Sequence, residues 1–66
     1  MKLRFDEEDD ALYIRLTDAR IVESEEIQPG IILDFDEQEH VVGIEILRVS
    51  KHVPNLDLTQ LQVEVA

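Results

Sequence analysis

Hydrophobic and polar residues alternate with a period of two along most of the chain, as they do in β-strands that bury one face. The first such stretch is Lys2 to Phe5, and the second is Ala11 to Leu16. The acidic run DEEDD at positions 6–10 separates them and has the length of a hairpin connection. We therefore predict that the first two strands form an antiparallel hairpin.

Three more strands are predicted in the middle of the chain. Ile21 to Gln28 is largely polar, which indicates an edge strand or a solvent-exposed stretch. Pro29 and Gly30 then predict a type II turn, in which glycine supplies the positive φ. A nearly continuous apolar strand follows from Ile31 to Phe35, and the longest strand is predicted from Val41 to Val49. These strands extend the hairpin into an antiparallel sheet.

The last fifteen residues, 52–66, are less regular. The polar stretch from Ser50 to Pro54 is expected to end the sheet. Asp57 and Gln60 have the spacing of a capping box, which predicts one short helical turn. Leu61 to Val65 alternates again and favours a sixth strand over an amphipathic helix. The whole chain, residues 1–66, is thus predicted to be one all-β domain, an antiparallel meander of five to six strands.

One face of this predicted sheet is consistently apolar. Its residues are Leu3, Phe5, Leu12, Ile14, Leu16, Ile31, Leu33, Phe35, Val42, Ile44 and Ile46. Such a face must be covered, and the sequence predicts no long helix to cover it. Either the sheet curls into a half-barrel closed by the C-terminal segment, or two copies pack face to face across a two-fold axis. We favour the homodimer because a chain of 66 residues builds a marginal core.

The amino-acid composition and net charge argue against several classes of function. There is no cysteine, so disulfides and thiolate metal sites are excluded, and a reducing, cytoplasmic location is expected. The net charge is −10, which argues against direct nucleic-acid binding and would steer a basic partner, although it also serves solubility alone. No apolar run is long enough to span a bilayer, and the first residues do not form a secretory signal.

Metal and catalytic sites are poorly supported. The best metal constellation is Asp34, Asp36, Glu39 and His40, in which Asp34 and Asp36 lie on the same side of a strand end. Calcium takes six to eight oxygens, so we interpret this stretch as a structural turn, with a weak cation site as the alternative. His40 and His52 are the only histidines, too few for a closed zinc site. No nucleophile motif or phosphate loop is present, and we predict neither a cofactor nor catalytic residues.

Some residues are candidates for an interface or for turns. Tyr13 points away from the apolar face, beside Arg15 and near Ile32 or Leu47, and aromatic residues and arginine are enriched at interface centres. The alternative is that Tyr13 belongs to a second small apolar cluster. Gly43, inside a strand, indicates a bulge or a close contact. Asp10 is expected to bond the backbone of its own turn.

The chain also resembles a known family. The blocks FDEEDDALYIRL at positions 5–16 and SEEIQPGIILDFDEQEHVVGIEILRVSK at positions 24–51 are similar to the bacterial domain-of-unknown-function family numbered 2283. The resemblance covers about residues 3–51 and leaves out the extension from 52 to 66. It implies a compact β domain without recognised catalytic residues. Such proteins are often encoded beside small toxin-like proteins that cleave messenger RNA, so the resemblance implies an antitoxin-like partner of a small basic protein.

Overall fold

The computed structural model describes all residues from 1 to 66 and forms one antiparallel sheet of five strands. The strands are β1 (Lys2–Asp6), β2 (Ala11–Arg15), β3 (Glu23–Gln28), β4 (Ile31–Phe35) and β5 (Val41–Leu47). A short helix, α1 (Val49–His52), and one 3₁₀ turn (Leu58–Gln60) follow. The all-β prediction with one short C-terminal helical turn is confirmed.

The strand order is β1-β2-β5-β4-β3, which departs from a simple meander at one step. Both β1-β2 and β3-β4-β5 run as sequential hairpins, but β2 pairs with β5 and not with β3. The register sets Leu12 opposite Ile46 and Ile14 opposite Ile44. Since β3 carries glutamates on both of its faces, it suits an edge, and all six of its residues are exposed. The edge prediction for this strand is confirmed.

The connection from β2 to β3 crosses the end of the sheet over residues 16–22. Arg15 holds this loop, because its Nε donates to the carbonyl of Thr17 at 2.7 Å and its guanidinium NH₂ donates to the carbonyl of Ala19 at 2.6 Å. The Val22 amide then donates to the Phe35 carbonyl at 2.9 Å as the chain reaches the far edge. Arg15 thus holds the loop that carries the chain from β2 to the far edge of the sheet.

The sequence predicted that Asp10 bonds the backbone of its own turn, but only its amide does so, donating to the Glu7 carbonyl at 3.3 Å. Asp10 adopts a φ of 52°, a left-handed conformation that aspartate tolerates. Its carboxylate accepts hydrogen bonds from the Ser50 amide at 3.1 Å and the Ser50 hydroxyl at 2.6 Å, and its carbonyl accepts from the Val49 amide at 2.9 Å. Asp6 bonds the turn instead, accepting from the Asp9 amide at 3.0 Å. Asp10 therefore caps α1 from forty residues away.

The turn at Pro29 and Gly30 forms as predicted, with a φ of 82° at Gly30. A Cβ at this buried glycine would stand 2.9 Å from the guanidinium of Arg48. β5 ends at Leu47, earlier than the predicted Val49, because Arg48 turns into the left-handed region with a φ of 50°. The chain then enters α1 with Val49 buried.

The predicted helical turn is present near the C-terminus, and the predicted sixth strand is not. Asp57 accepts a hydrogen bond from the Thr59 amide at 3.0 Å, so it caps the 3₁₀ turn. Leu61, Val63 and Val65 alternate as the sequence shows, but they are 57%, 87% and 91% exposed and pair with no strand. The sixth-strand prediction is therefore wrong for the single chain, since residues 61–66 leave the sheet.

The sheet stays open and is not closed into a barrel, so the predicted closure by the C-terminal segment does not form. The extensive contacts between elements are those between neighbouring strands. Only three hydrophobic residues are buried, namely Leu12, Val42 and Val49. The radius of gyration is 12.7 Å, whereas about 11 Å is expected for a compact domain of this length. The result is a flattened molecule of 35 × 31 × 20 Å that is built on one open sheet.

Candidate interaction surfaces

The apolar face is formed by alternate residues of all the strands except β3. The register places Leu3 beside Ile14 and Phe5 beside Leu12, and the row continues through β5 into β4. We call this surface the apolar face. Its members are Leu3, Phe5, Leu12, Ile14, Ile31, Leu33, Phe35, Val42, Ile44 and Ile46. Leu12 and Val42 are buried, Phe5 is 37% exposed, and the other seven are intermediate in exposure.

The edge of the apolar face at β3 is acidic. Glu25 lies opposite Leu33 and Glu23 lies opposite Phe35, so both carboxylates are on the apolar side of the sheet. Both glutamates are exposed. The edge at β1 has no such charges on this side, since Leu3 and Phe5 are its residues there. The face is thus bounded by negative charge at one edge and open at the other.

The opposite surface, which we call the polar face, carries a row of hydrogen bonds across the sheet. The Tyr13 hydroxyl on β2 donates to Asp34 Oδ2 at 2.9 Å, and the Ser24 hydroxyl on β3 donates to Asp34 Oδ1 at 2.6 Å. Asp34 is a buried carboxylate, and both of its oxygens are occupied in this way. The row therefore links three of the five strands.

Gly43 makes the row sterically feasible. It lies on β5 between Tyr13 and Asp34, and a Cβ there would stand 2.7 Å from the Tyr13 hydroxyl and 2.8 Å from Asp34 Oδ2. A register irregularity lies beside it, where Phe35 pairs with Val41. Of the two alternatives predicted for Gly43, a bulge or a close contact, the close contact is present at the residue itself.

The four predicted interface residues, Tyr13, Arg15, Ile32 and Leu47, all lie on the polar face. Tyr13 and Ile32 flank Glu45 in one cross-strand row, while Leu47 lies beside Ala11. Arg15 is engaged by the crossover loop. Tyr13 and Leu47 line an open groove of about 610 Å³ that charged side chains of both signs surround. Their role at an interface stays a prediction.

Two residues of the candidate metal site, Asp34 and Asp36, accept hydrogen bonds from different parts of the chain. Asp34 belongs to the row on the polar face, while Asp36 organises the turn after β4 by accepting from the Gln38 and His40 amides, both at 2.9 Å. The backbone bond from His40 is the main cause that holds the pKa of Asp36 below its usual value. Glu39 adopts a φ of 64° in the same turn. No group of three or more histidine, aspartate or glutamate side chains is gathered around a common point.

Sequence reasoning missed the row of hydroxyls and carboxylate. Alternation alone puts Tyr13, Asp34 and Gly43 on faces of their own strands, but bringing them together requires β2 and β4 to flank β5. The signal that pointed towards it was the glycine inside an otherwise β-branched strand. The row ties β2 and β3 to β4, because the hydroxyls of Tyr13 and Ser24 both donate to the Asp34 carboxylate.

Comparison with known proteins supplies a family and nothing further. No helix of this chain has the length and apolar character needed to cross a membrane. No curated protein and no solved structure matches the sequence. A family model described as a protein of unknown function, DUF2283, matches residues 2–50, the part that contains the whole sheet and the start of α1. The chain belongs to the DUF2283 family.

Proposed function

We propose that this chain is a cytoplasmic, non-enzymatic interaction domain that docks a small basic protein on its apolar face, as an antitoxin docks its toxin. The observation that carries the proposal is that most side chains of the apolar face stay partly exposed, while the elements in extensive contact are neighbouring strands of the one sheet. An uncovered apolar sheet face is unfavourable in water, so a partner that covers it gains free energy.

The exposed surface is large enough for an interface. The chain exposes 5390 Å², whereas a compact protein of 7.6 kDa exposes about 4,300 Å². Residues 61–66 contribute part of this excess, and the open sheet contributes the rest. A standard interface takes about 800 Å² from each partner. The excess of the whole chain, with the exposed residues 61–66 included, is of the order of one standard interface.

Charge defines the chemistry of the partner. The chain carries 16 acidic and 6 basic residues, and Glu23 and Glu25 stand at the border of the apolar face. A partner with an apolar patch beside lysines or arginines would match this border. Electrostatic attraction would raise the association rate, and apolar burial would set the lifetime of the complex.

The polar face supports a non-enzymatic role. The hydroxyls of Tyr13 and Ser24 both donate to Asp34, so the one buried carboxylate serves as their common acceptor. A general base needs a free acceptor atom within hydrogen-bond reach of a substrate proton. The arrangement favours a structural use of these groups.

Two neighbouring isoleucines on β4 test the docking face. Ile31 lies on the apolar face opposite Ile46, and Ile32 lies on the polar face opposite Glu45. We expect the wild-type chain to co-purify with the basic product of an adjacent gene at about 0.1 M salt, where screening is moderate. Ile31→Thr should weaken the complex about tenfold, which corresponds to about 1.4 kcal/mol. Ile32→Thr, the matched control, should leave it unchanged.

The two variants separate the faces. Failure of the wild-type pair to co-purify would reject the docking role. A complex that survives Ile31→Thr and dissociates with Ile32→Thr would move the docking site to the groove beside Tyr13 and Leu47. Circular dichroism of each variant shows whether the sheet is retained, so that loss of binding is not mistaken for loss of fold.

A homo-oligomeric module is the second candidate function. It is favoured by the exposure of the alternating C-terminal segment, in which Val63 is 87% and Val65 is 91% exposed. Self-association and partner docking would use different parts of the molecule. The docking proposal places the partner on the apolar face, whereas the C-terminal segment would pair with a strand at an edge of the sheet.

A further inference from the structure

The C-terminal segment has the pattern of a β-strand without a partner. Residues 61–65, with the sequence LQVEV, place three apolar side chains on one side and Gln62 and Glu64 on the other. They pair with no strand of their own sheet, and every residue from 61 to 66 is exposed. A strand of this kind lowers its free energy by pairing with an open sheet edge.

The sheet offers two open edges, and their charges differ. The edge at β3 carries Glu23, Glu25 and Glu26. Their negative charges would repel a segment that contains Glu64. The edge at β1 carries Lys2 and Arg4, both exposed and both on the polar side. Electrostatics therefore favours β1 as the edge that accepts the segment.

The apolar side chains of the segment also fit β1. In an antiparallel register with Glu64 opposite Lys2, Gln62 lies opposite Arg4, and both pairs are on the polar side. The same register places Leu61 opposite Phe5 and extends the apolar face by one strand. Phe5 is 37% exposed at this edge, so the added strand would shield it from water. Charge and apolar pattern thus match on both sides of one register.

We propose that residues 61–65 of one copy pair as an antiparallel strand with β1 of a second copy, and that the exchange is reciprocal. The product is a homodimer in which each sheet has six strands. The extended apolar face stays available to another protein, so this inference stands independently of the proposed docking role.

Residues 61–66 are exposed and pair with no strand of their own sheet, so they are accessible to a second copy. Two turns precede them, closed by hydrogen bonds from the Leu56 amide to the Val53 carbonyl and from the Leu61 amide to the Leu58 carbonyl, both at 3.3 Å. Asn55 lies inside the first of these turns with a φ of 67°.

Sedimentation equilibrium of the full chain tests the proposal directly. We expect a species of twice the 7.6 kDa chain mass, and a chain ending at Gln60 should sediment as a monomer at the same concentration. The truncated chain keeps the five strands β1 to β5, so circular dichroism should still show a folded sheet and should lose only the signal of the added strand. A full chain that is monomeric, or a truncated chain that is still dimeric, would overturn the proposal.

A charge exchange tests the register. Glu64→Lys should raise the dimer dissociation constant about tenfold, because it sets like charges opposite each other at two symmetry-related places. Combining it with Lys2→Glu should restore the wild-type constant. Glu26→Lys on the other edge is the matched control and should not weaken the dimer. Failure of the double variant to recover would reject this register and with it the proposed edge.

Hydrogen exchange distinguishes pairing between copies from pairing within one chain. The β1 amides that point away from β2 should be protected in the dimer and should lose this protection on dilution. Concentration-independent protection in a monomer would show that the segment folds back on its own sheet, which would also overturn the proposal.

Discussion

The two faces of the sheet are made from the same strands but are organised by different forces. The polar face is fixed by directional bonds, in which Tyr13 and Ser24 meet at Asp34 above Gly43. The apolar face is held by contacts between side chains rather than by directional bonds, and only Leu12 and Val42 on it are buried, while the others stay partly exposed. Hydrogen bonds need defined partners, whereas apolar burial needs only area. The polar face therefore specifies the strand arrangement, and the apolar face supplies the capacity to bind.

The largest effect is expected from removing the acceptor on the polar face. Asp34→Ala leaves the hydroxyls of Tyr13 and Ser24 without their common partner, and hydrogen bonds to a charged group contribute about 1.5–3 kcal/mol each. We expect the free energy of unfolding to fall by about 3 kcal/mol, most of what a core of this size supplies. Urea denaturation followed by circular dichroism measures it.

Asp34→Asn is the matched control for this loss. It keeps an acceptor oxygen at nearly the same place, so it should retain more than half of the lost stability. Equal destabilisation by alanine and asparagine would show that the carboxylate charge, and not the hydrogen-bond pattern, holds the polar face together.

A smaller effect is expected from Gly43→Ala. The new methyl group would lie within 3 Å of the Tyr13 hydroxyl and Asp34 Oδ2, so the hydrogen bond between them must lengthen or break. We expect a loss of about 1–2 kcal/mol. In the Tyr13→Phe background the same substitution should cost much less, because the bond is already absent. Additive costs in this double-mutant cycle would contradict the steric explanation.

These two faces were not equally predictable from the sequence. The period of two assigned Leu12, Ile14, Ile44 and Ile46 to one face, because alternation is a local property of each strand. The hydrogen-bonded row depends on which strands become neighbours, and the pairing of β2 with β5 is set by long-range contacts that no local pattern encodes. Tyr13 was therefore recognised as facing away from the apolar side, but not as the partner of Asp34.

The turns, too, could be predicted from the sequence only where the signal is local. Gly30 was predicted because Pro-Gly carries its conformation in two adjacent residues. Asp10 was misassigned because the partner of its carboxylate is Ser50, which only the folded chain brings near. The alternation at residues 61–65 predicted a strand that the single chain does not form, because a strand also needs a neighbour and no strand of the sheet pairs with this segment.

A substitution on the apolar face should lower the free energy of unfolding by less than Gly43→Ala does. Ile44 lies at its centre and is only half-buried, so Ile44→Thr should reduce the free energy of unfolding by about 1 kcal/mol, the value of partial burial. Urea denaturation at one fixed protein concentration measures this. Ile44→Val should cost less than half as much. A loss as large as that of Asp34→Ala would mean that the apolar face is already covered in solution.

The smallest effect concerns Asp36, which lies in the turn beyond both faces. Its pKa is lowered, chiefly by the backbone hydrogen bond from His40, so its contribution to stability is present above about pH 4, the ordinary pKa of aspartate, and is lost as the pH falls through the lowered value. We expect Asp36→Asn to be less stable than the wild type at pH 6, with the difference shrinking towards pH 2.5. Glu37→Gln in the same turn is the control. Urea midpoints across this pH series measure the difference, and a gap that stays constant with pH would show that the turn is held without the charge of Asp36. Because this turn joins β4 to β5 without touching the row at Asp34, its acid sensitivity should leave the contrast between the two faces intact.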